Sequence, residues 1–211
     1  RPMFNTIGII TKPQDITSEE TARELGAFLK EQGVSLVEDE KAIEKSAELI
    51  IVVGGDGSIL STARTYVDSN IPILGINLGR LGFLADVSVE SMMTVVSDIL
   101  SGEYIKEERA LLSCQVEREG NILFQHLAFN EVVVHRNETP RMIEFELLVD
   151  GDFVNKQRAD GMIVTTPTGS TAYALSSGGP IMHPSVNTIC LVSISPHTMS
   201  HRPFILHGES E

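Results

Sequence analysis

The sequence predicts an α/β N-terminal domain built on a doubly wound parallel sheet, followed by a β-rich C-terminal domain. Three observations carry this. Leu49-Ile50-Ile51-Val52-Val53 is an apolar run without alternation, as expected of a strand covered on both faces, and it breaks into Gly54-Gly55-Asp56-Gly57-Ser58. Short apolar strands and amphipathic helices alternate through residues 1–102. Beyond Gly102 the apolar period changes from helical to two-residue alternation. The predicted domains are therefore 1–102, an α/β domain carrying the glycine turn, and 103–211, a β-rich domain.

Thr6 to Ile10 reads as the first strand, and Thr17-Ser18-Glu19-Glu20 as a capping box for a helix bearing Ala22, Leu25, Gly26 and Leu29. Gly33 closes that helix, and Val34 to Val37 forms a second strand. The acidic segment Glu38 to Glu48 leads into the central strand. After the glycine turn, Ile59, Leu60, Ala63, Tyr66 and Val67 recur at helical spacing, and Ile71 to Ile76 is a further strand. Asn77-Leu78-Gly79-Arg80-Leu81-Gly82-Phe83 is then a second glycine-bearing loop at a strand's carboxyl end. Val89, Met92, Met93, Val96, Ile99 and Leu100 make an amphipathic helix ended by Gly102, with its methionines in the core.

In the second half, Leu112, Cys114 and Val116 alternate with polar residues, as do Ile143, Phe145, Leu147 and Val149. Arg118-Glu119-Gly120-Asn121 and Asp150-Gly151 are turn signals, so antiparallel hairpins are expected.

The chain has 211 residues and a net charge of −13, from 16 basic and 29 acidic residues spread along its length. That balance argues against bulk nucleic acid or an anionic membrane as partner. Cys114 and Cys190 lie apart without metal-ligand spacing, which favours a reducing, cytoplasmic compartment and neither disulfides nor zinc. No apolar run reaches the roughly 18 to 20 residues that span a bilayer. No metal-ligand set is predicted.

Three glycines within four residues allow close backbone approach to a ligand, and the following helix offers N–H groups to anionic oxygens. Asp56 would repel such a ligand unless it acts through a metal ion or takes a proton from an attacking hydroxyl, and both uses point to phosphoryl transfer. The same residues also serve as a plain turn in which Asp56 caps the helix. Asn130-Glu131 precedes Val132-Val133-Val134; together the pair suits a ribose diol, and alone it suits a solvated turn. Asp160-Gly161 leads through Met162-Ile163-Val164 to Thr165-Thr166-Pro167-Thr168-Gly169-Ser170-Thr171-Ala172-Tyr173, where hydroxyls and Tyr173 suit a purine. Phe83 would either stack on a base or anchor its loop in the core. Ser176-Ser177-Gly178-Gly179-Pro180 is a glycine-serine run poorly explained by helix caps alone.

These stretches, in order and spacing, resemble the bacterial NAD kinases. Gly54-Gly55-Asp56-Gly57-Ser58, Gly79-Arg80-Leu81-Gly82-Phe83, Asn130-Glu131, the segment from Asp160 to Tyr173, and Gly178-Gly179-Pro180 carry the likeness over most of the chain. Gly-Gly-Asp-Gly is shared with phosphofructokinases and lipid kinases; Thr-Pro-Thr-Gly-Ser-Thr-Ala-Tyr is far more selective.

The resemblance implies a two-domain fold and phosphoryl transfer from ATP, or inorganic polyphosphate, to the 2′-hydroxyl of the adenosine ribose of NAD. A divalent ion such as Mg²⁺ would assist, and NADP would be the product. It makes Asp56 the proton acceptor, with Gly57 beside it in the nucleotide loop. Asn130 and Glu131 would hold a ribose. Phe83 and the run Thr171, Ala172, Tyr173, Ala174, Leu175 and Ser176 would line the adenosine pocket. Arg141, Arg158 and Asp160 fall at further ligand-contacting positions, and an arginine at 158 fits preference for oxidised NAD. The resemblance also implies a homodimer or homotetramer, with Ser193 to Pro196 where a neighbour would contribute. It implies as well a second domain continuing beyond Glu211, so the NAD-binding part is expected to be incomplete at its C-terminus. The link from Val37 to Leu49 is shorter than is usual in the family.

Other classes remain open at this point. A non-catalytic nucleotide-binding regulatory module would bind NAD without turnover. A diacylglycerol- or sphingosine-type lipid kinase would need a membrane-facing surface, against which the charge argues. A phosphofructokinase would need basic residues around a sugar phosphate.

Overall fold

Side chains of the central strand, β3 (Leu49–Gly54), point alternately into two separate cores, which is why its sequence shows no polar face. Leu49, Ile51 and Val53 enter one hydrophobic cluster and Ile50 and Val52 the other. The computed structural model describes residues 1–80, 82, 84–85, 87–138, 140–198 and 201–211, and the chain forms two units, Arg1–Lys106 and Glu107–Glu211.

In the first unit β1 (Thr6–Thr11), β2 (Ser35–Val37), β3, β4 (Ile73–Asn77) and β5 (Val87–Ser88) make a parallel sheet in the order β2-β1-β3-β4-β5. Helices α1 (Ile16–Glu31) and α4 (Met92–Leu100) pack Leu25, Leu29, Met92, Val96 and Leu100 against one face. Helices α2 (Glu40–Ser46) and α3 (Asp56–Thr65) bring Ile43 and Ile59 to the other. The sheet is thus doubly wound, and its strand order reverses between β1 and β3, which places the switch point beside the glycine turn. Strand β4 starts at Ile73 rather than Ile71, because Pro72 has no N–H to give; its carbonyl accepts from Ile50 N–H at 3.0 Å.

The start of α1 differs from the capping box. Asp15 is the N-cap, its Oδ1 accepting from Ser18 N–H at 2.9 Å, so the helix begins two residues earlier than a cap at Thr17 suggests. Ser18 faces inward instead: its hydroxyl donates to Val53 O at 2.7 Å and accepts from Lys12 N–H at 2.9 Å. A buried hydroxyl that links two strand ends outcompetes a solvent-facing cap. At its far end α1 closes as expected, Gly33 taking φ of +81° while Val34 N–H bonds Leu29 O and Gly33 N–H bonds Lys30 O.

In the second unit β6 (Leu112–Arg118) and β7 (Asn121–Ala128) form one hairpin, and β9 (Ile143–Val149) and β10 (Asp152–Ala159) another. Both turn through paired positive φ angles, at Glu119-Gly120 and at Asp150-Gly151, the twist that two-residue hairpins require. An antiparallel sheet of β8 (Glu131–His135), β11 (Gly161–Thr165), β12 (Thr188–Ile194) and β13 (Phe204–His207) has the order β13-β12-β11-β8. Ile163, Cys190 and Val192 anchor its core together with Ala174 of the short helix α5 (Tyr173–Ser176) and Met182. Cys114 and Cys190 are both free, and burial pushes the Cys190 thiol pKa up.

The run Ser176 to Pro180 proves to be a cap after all. Gly178 takes φ of +89°, its N–H bonds Leu175 O, and Gly179 N–H bonds Ala174 O at 2.8 Å, the same closure as at Gly33. Gly179 is glycine for a further reason: a Cβ there would lie 2.9 Å from both Ala174 O and Val192 Cγ2.

Candidate functional site

In the first unit Gly55 is the N-cap of α3 and Asp56 its first residue. No side chain caps this helix, so the plain capping role for Asp56 does not hold. Its Oδ1 instead accepts from the backbone N–H groups of Leu84 at 3.2 Å and Ala85 at 3.1 Å. The reason is position: a residue already inside the first turn projects sideways, toward the loop that follows β4. Gly54 must lack a side chain, because a Cβ there would sit 2.9 Å from Ser58 Cβ. Ser58 and Ile59 N–H both turn back to Gly55 O, at 3.1 and 3.2 Å, while Gly57 N–H stands at a helix position that has no intrahelical acceptor, which suits an anionic oxygen. Gly57 has open space where a side chain would stand.

Asn77, at the end of β4, is buried and organises the loop. Its Nδ2 donates to Arg80 O and to Ala85 O at 3.2 Å, while its Oδ1 accepts from Gly79 N–H at 3.0 Å. Asn77 heads the glycine-bearing loop expected from the sequence, but its role in holding that loop is visible only in the fold; a lone amide ending an apolar strand before a glycine loop is the signal for it. Phe83 lies outside the described residues.

In the second unit, the register of β8 against β11 sets Glu131 opposite Thr165 and so joins two motifs that are distant in sequence. Thr166 does the joining. Its hydroxyl lies 2.7 Å from Phe129 O and 3.1 Å from Asn130 O, and accepts from Gly169 N–H at 3.1 Å, while Thr166 N–H donates to Asn130 O at 2.9 Å. Gly169 packs so closely on this strand that a Cβ would fall 2.5 Å from the Asn130 carbonyl carbon. Ser170 extends the network, its hydroxyl donating to Pro167 O at 2.6 Å and accepting from Met182 N–H at 3.0 Å. Arg109 Nη1 reaches Thr168 Oγ1 at 3.3 Å.

Within this frame Glu131 is half-buried, and its buried Oε2 has no hydrogen-bond partner among the described residues. Burial pushes its carboxyl pKa up. A buried acceptor without a donor is costly in a folded chain and is what a ligand hydroxyl would satisfy. Of the expected pocket residues, Thr171 and Ala172 are half-buried and Ala174 is buried, while Tyr173, Leu175 and Ser176 are exposed. Tyr173 therefore has its ring open to solvent in this unit.

Asp160 stands at the other end of β11, about 17 Å from Thr165 for five extended residues. It is held on three sides: its N–H donates to Ile194 O at 2.9 Å, its carbonyl accepts from Arg136 N–H at 2.8 Å, and its Oδ1 accepts from Arg136 Nε at 2.9 Å. Arg136 is a residue that sequence reasoning missed. Arg158 and Arg141 are exposed; the Arg158 carbonyl accepts from His197 N–H at 2.9 Å. Ser193 Oγ donates to the buried Gln157 at 2.6 Å. Among the described residues no three His, Cys, Asp or Glu side chains gather to hold a metal ion.

The first unit is that of a nucleotide-handling α/β protein which places its chemistry at a sheet switch point and has no Walker lysine. Relatives narrow this class. Family models described as the ATP-NAD kinase N-terminal and C-terminal domains match residues 38–104 and 129–211. The chain is 47% identical over 227 residues to an NAD kinase of Hydrogenovibrio crunogenus, covering 99% of this chain and 78% of that protein. It is 44% identical over 224 residues to an NAD kinase of Teredinibacter turnerae, covering 99% and 76%. Among solved structures, yeast NADH kinase complexed with NADH superposes with a TM-score of 0.88 at 27% identity, over 100% of this chain and 71% of that one. An NAD kinase from Archaeoglobus fulgidus in complex with ATP gives 0.76 at 28% identity, over 97% and 78%. The chain belongs to the ATP-NAD kinase family, and it is an enzyme of that family.

Proposed function

We propose that this chain phosphorylates NAD at the 2′-hydroxyl of its adenosine ribose, with ATP as donor and Asp56 as proton acceptor. The 2′ oxygen attacks the γ-phosphorus, the bond from that phosphorus to the β–γ bridging oxygen breaks, the hydroxyl proton passes to Asp56, and ADP and NADP leave. Catalysis of such a transfer is mostly positioning and charge neutralisation.

The observation that supports the NAD-binding assignment most directly is the buried Oε2 of Glu131, which has no partner among the described residues, beside Asn130 in a frame knitted to the Thr166–Gly169 turn. Glu131 accepts from ribose hydroxyls, Asn130 donates and accepts, and the run Thr171 to Ser176 faces the adenine. Asp160, Arg158 and Arg141 would meet more distant parts of a long ligand, since Asp160 and Glu131 flank opposite ends of β11.

A divalent ion such as Mg²⁺ fits this chemistry. Mg²⁺ commonly binds substrate phosphates, so the triphosphate would carry it and it would neutralise charge on the transferred group, with Asp56 kept as the base. A homodimer or homotetramer and a cytoplasmic location accord with the same family. No described helix is long and apolar enough to cross a membrane.

The test is NADP formation from NAD, ATP and Mg²⁺ by the wild type beside Asp56→Asn. A positioned base contributes typically about 10²- to 10⁴-fold, so the variant should lose turnover on that order while NAD binding by calorimetry persists. Comparable turnover in the variant would exclude Asp56 as base. NAD binding without ATP-dependent product in the wild type would favour a regulatory module instead.

A further inference from the structure

Asp56 is packed against a glycine twenty-six residues further along the chain. A Cβ built on Gly82 would stand 2.5 Å from both the carboxylate carbon and Oδ2 of Asp56, far inside any tolerable contact. On the same loop, the N–H groups of Leu84 and Ala85 converge on Oδ1. Gly82 N–H bonds Ala85 O at 3.3 Å and so draws the two parts of the loop into one turn. The turn is itself fixed from below by the buried Asn77, which grips Gly79, Arg80 and Ala85.

From this geometry we propose that Gly82, with the Leu84 and Ala85 amides, is a positioning cradle that sets the direction of the Asp56 carboxylate. The proposal rests on Asp56 being the proton acceptor. Two donors on one carboxylate oxygen fix the rotation of the group, and the missing side chain at position 82 leaves the space the carboxylate occupies. The requirement for glycine here is steric; no left-handed backbone angle demands it. A base must lie within hydrogen-bond reach of the proton it takes, and displacement of a reacting group by about 1 Å can cost on the order of 10²-fold in rate. A side chain placed at 82 would therefore act on turnover through Asp56 and not through ligand affinity.

The experiment compares wild type, Asp56→Asn, Gly82→Ala and the double variant in steady-state NADP formation. Gly82→Ala should lower kcat on the order of 10²-fold with KM for NAD little changed. Added to Asp56→Asn it should cause no further loss, because the cradle then has no base to aim. Near-wild-type kcat in Gly82→Ala, a raised KM with kcat kept, or losses that multiply in the double variant would each overturn the proposal. Full activity in Asp56→Asn would instead overturn the assignment of the base, so the two failures are distinct. If Gly82→Ala does not fold, amide hydrogen exchange decides. Leu84 and Ala85 should exchange faster in Asp56→Ala than in wild type, and unchanged protection at both would refute the cradle.

Discussion

Glu131 on β8 and Thr165 on β11 stand directly across from one another, so the end of one strand and the beginning of its antiparallel neighbour meet at one point. Thr166, the next residue, locks the junction by bonding the carbonyl oxygens of Phe129 and Asn130 and the Gly169 amide. Beside this junction the buried carboxylate oxygen Oε2 of Glu131 has no hydrogen-bond partner among the described residues.

Thr166→Val keeps the shape and removes the hydroxyl. Leaving buried carbonyl and amide groups unsatisfied costs about 1–3 kcal/mol, so chemical denaturation should show a loss of that size. Because the lost bonds orient Asn130 and the Gly169 turn, KM for NAD should rise more than kcat falls.

Burial raises the folded-state pKa of Glu131 above its ordinary value of 4.5. A carboxyl raised in this way favours the folded state most below that ordinary value, and the contribution is lost as pH rises through the folded pKa. Glu131→Gln removes the ionisation, so without ligand it should melt higher than wild type at pH 7. The gain should shrink toward zero below pH about 4, where both proteins are neutral at this position. The same variant should bind NAD more weakly, by calorimetry. A melting difference that grew on acidification would contradict the assignment.

Ser18 is fully buried and links Lys12 N–H to Val53 O, across the ends of β1 and β3 at the switch point. Ser18→Ala leaves both groups to find other partners and should cost about 1–3 kcal/mol in urea unfolding. Amide exchange should quicken at Lys12.

Arg136 and Asp160 form a half-exposed ion pair in which Arg136 Nε donates to Asp160 Oδ1 at 2.9 Å. Solvent screening reduces such a pair to about 1 kcal/mol or less. Arg136→Ala should therefore change stability little. If Asp160 contacts NAD, it should raise KM for NAD at low ionic strength more than at high, which steady-state assays in graded salt would show.

Much of this was legible from local pattern. The unbroken run Leu49–Val53 signalled a two-faced strand because each neighbouring side chain enters a different core. Glu119-Gly120 and Asp150-Gly151 declared their hairpins because few residue pairs tolerate two positive φ angles. Gly33 and Gly102 marked helix ends for the same conformational reason. Ser18 misled, because a hydroxyl at a helix start looks like a cap whether it faces solvent or a strand carbonyl.

Sequence by itself determined the two-part architecture, the strand that ends in Gly54-Gly55-Asp56-Gly57, and the motifs by which the family is recognised. These depend on periodicity and on backbone angles, which are properties of adjacent residues. Tertiary structure alone decided what each polar group touches. Asp56 finds donors at Leu84 and Ala85, Asp160 is gripped by Arg136, and Glu131 keeps a buried oxygen without a donor among the described residues. Hydrogen bonds and steric exclusion act over about 3 Å, and only folding brings residues so distant along the chain to that range.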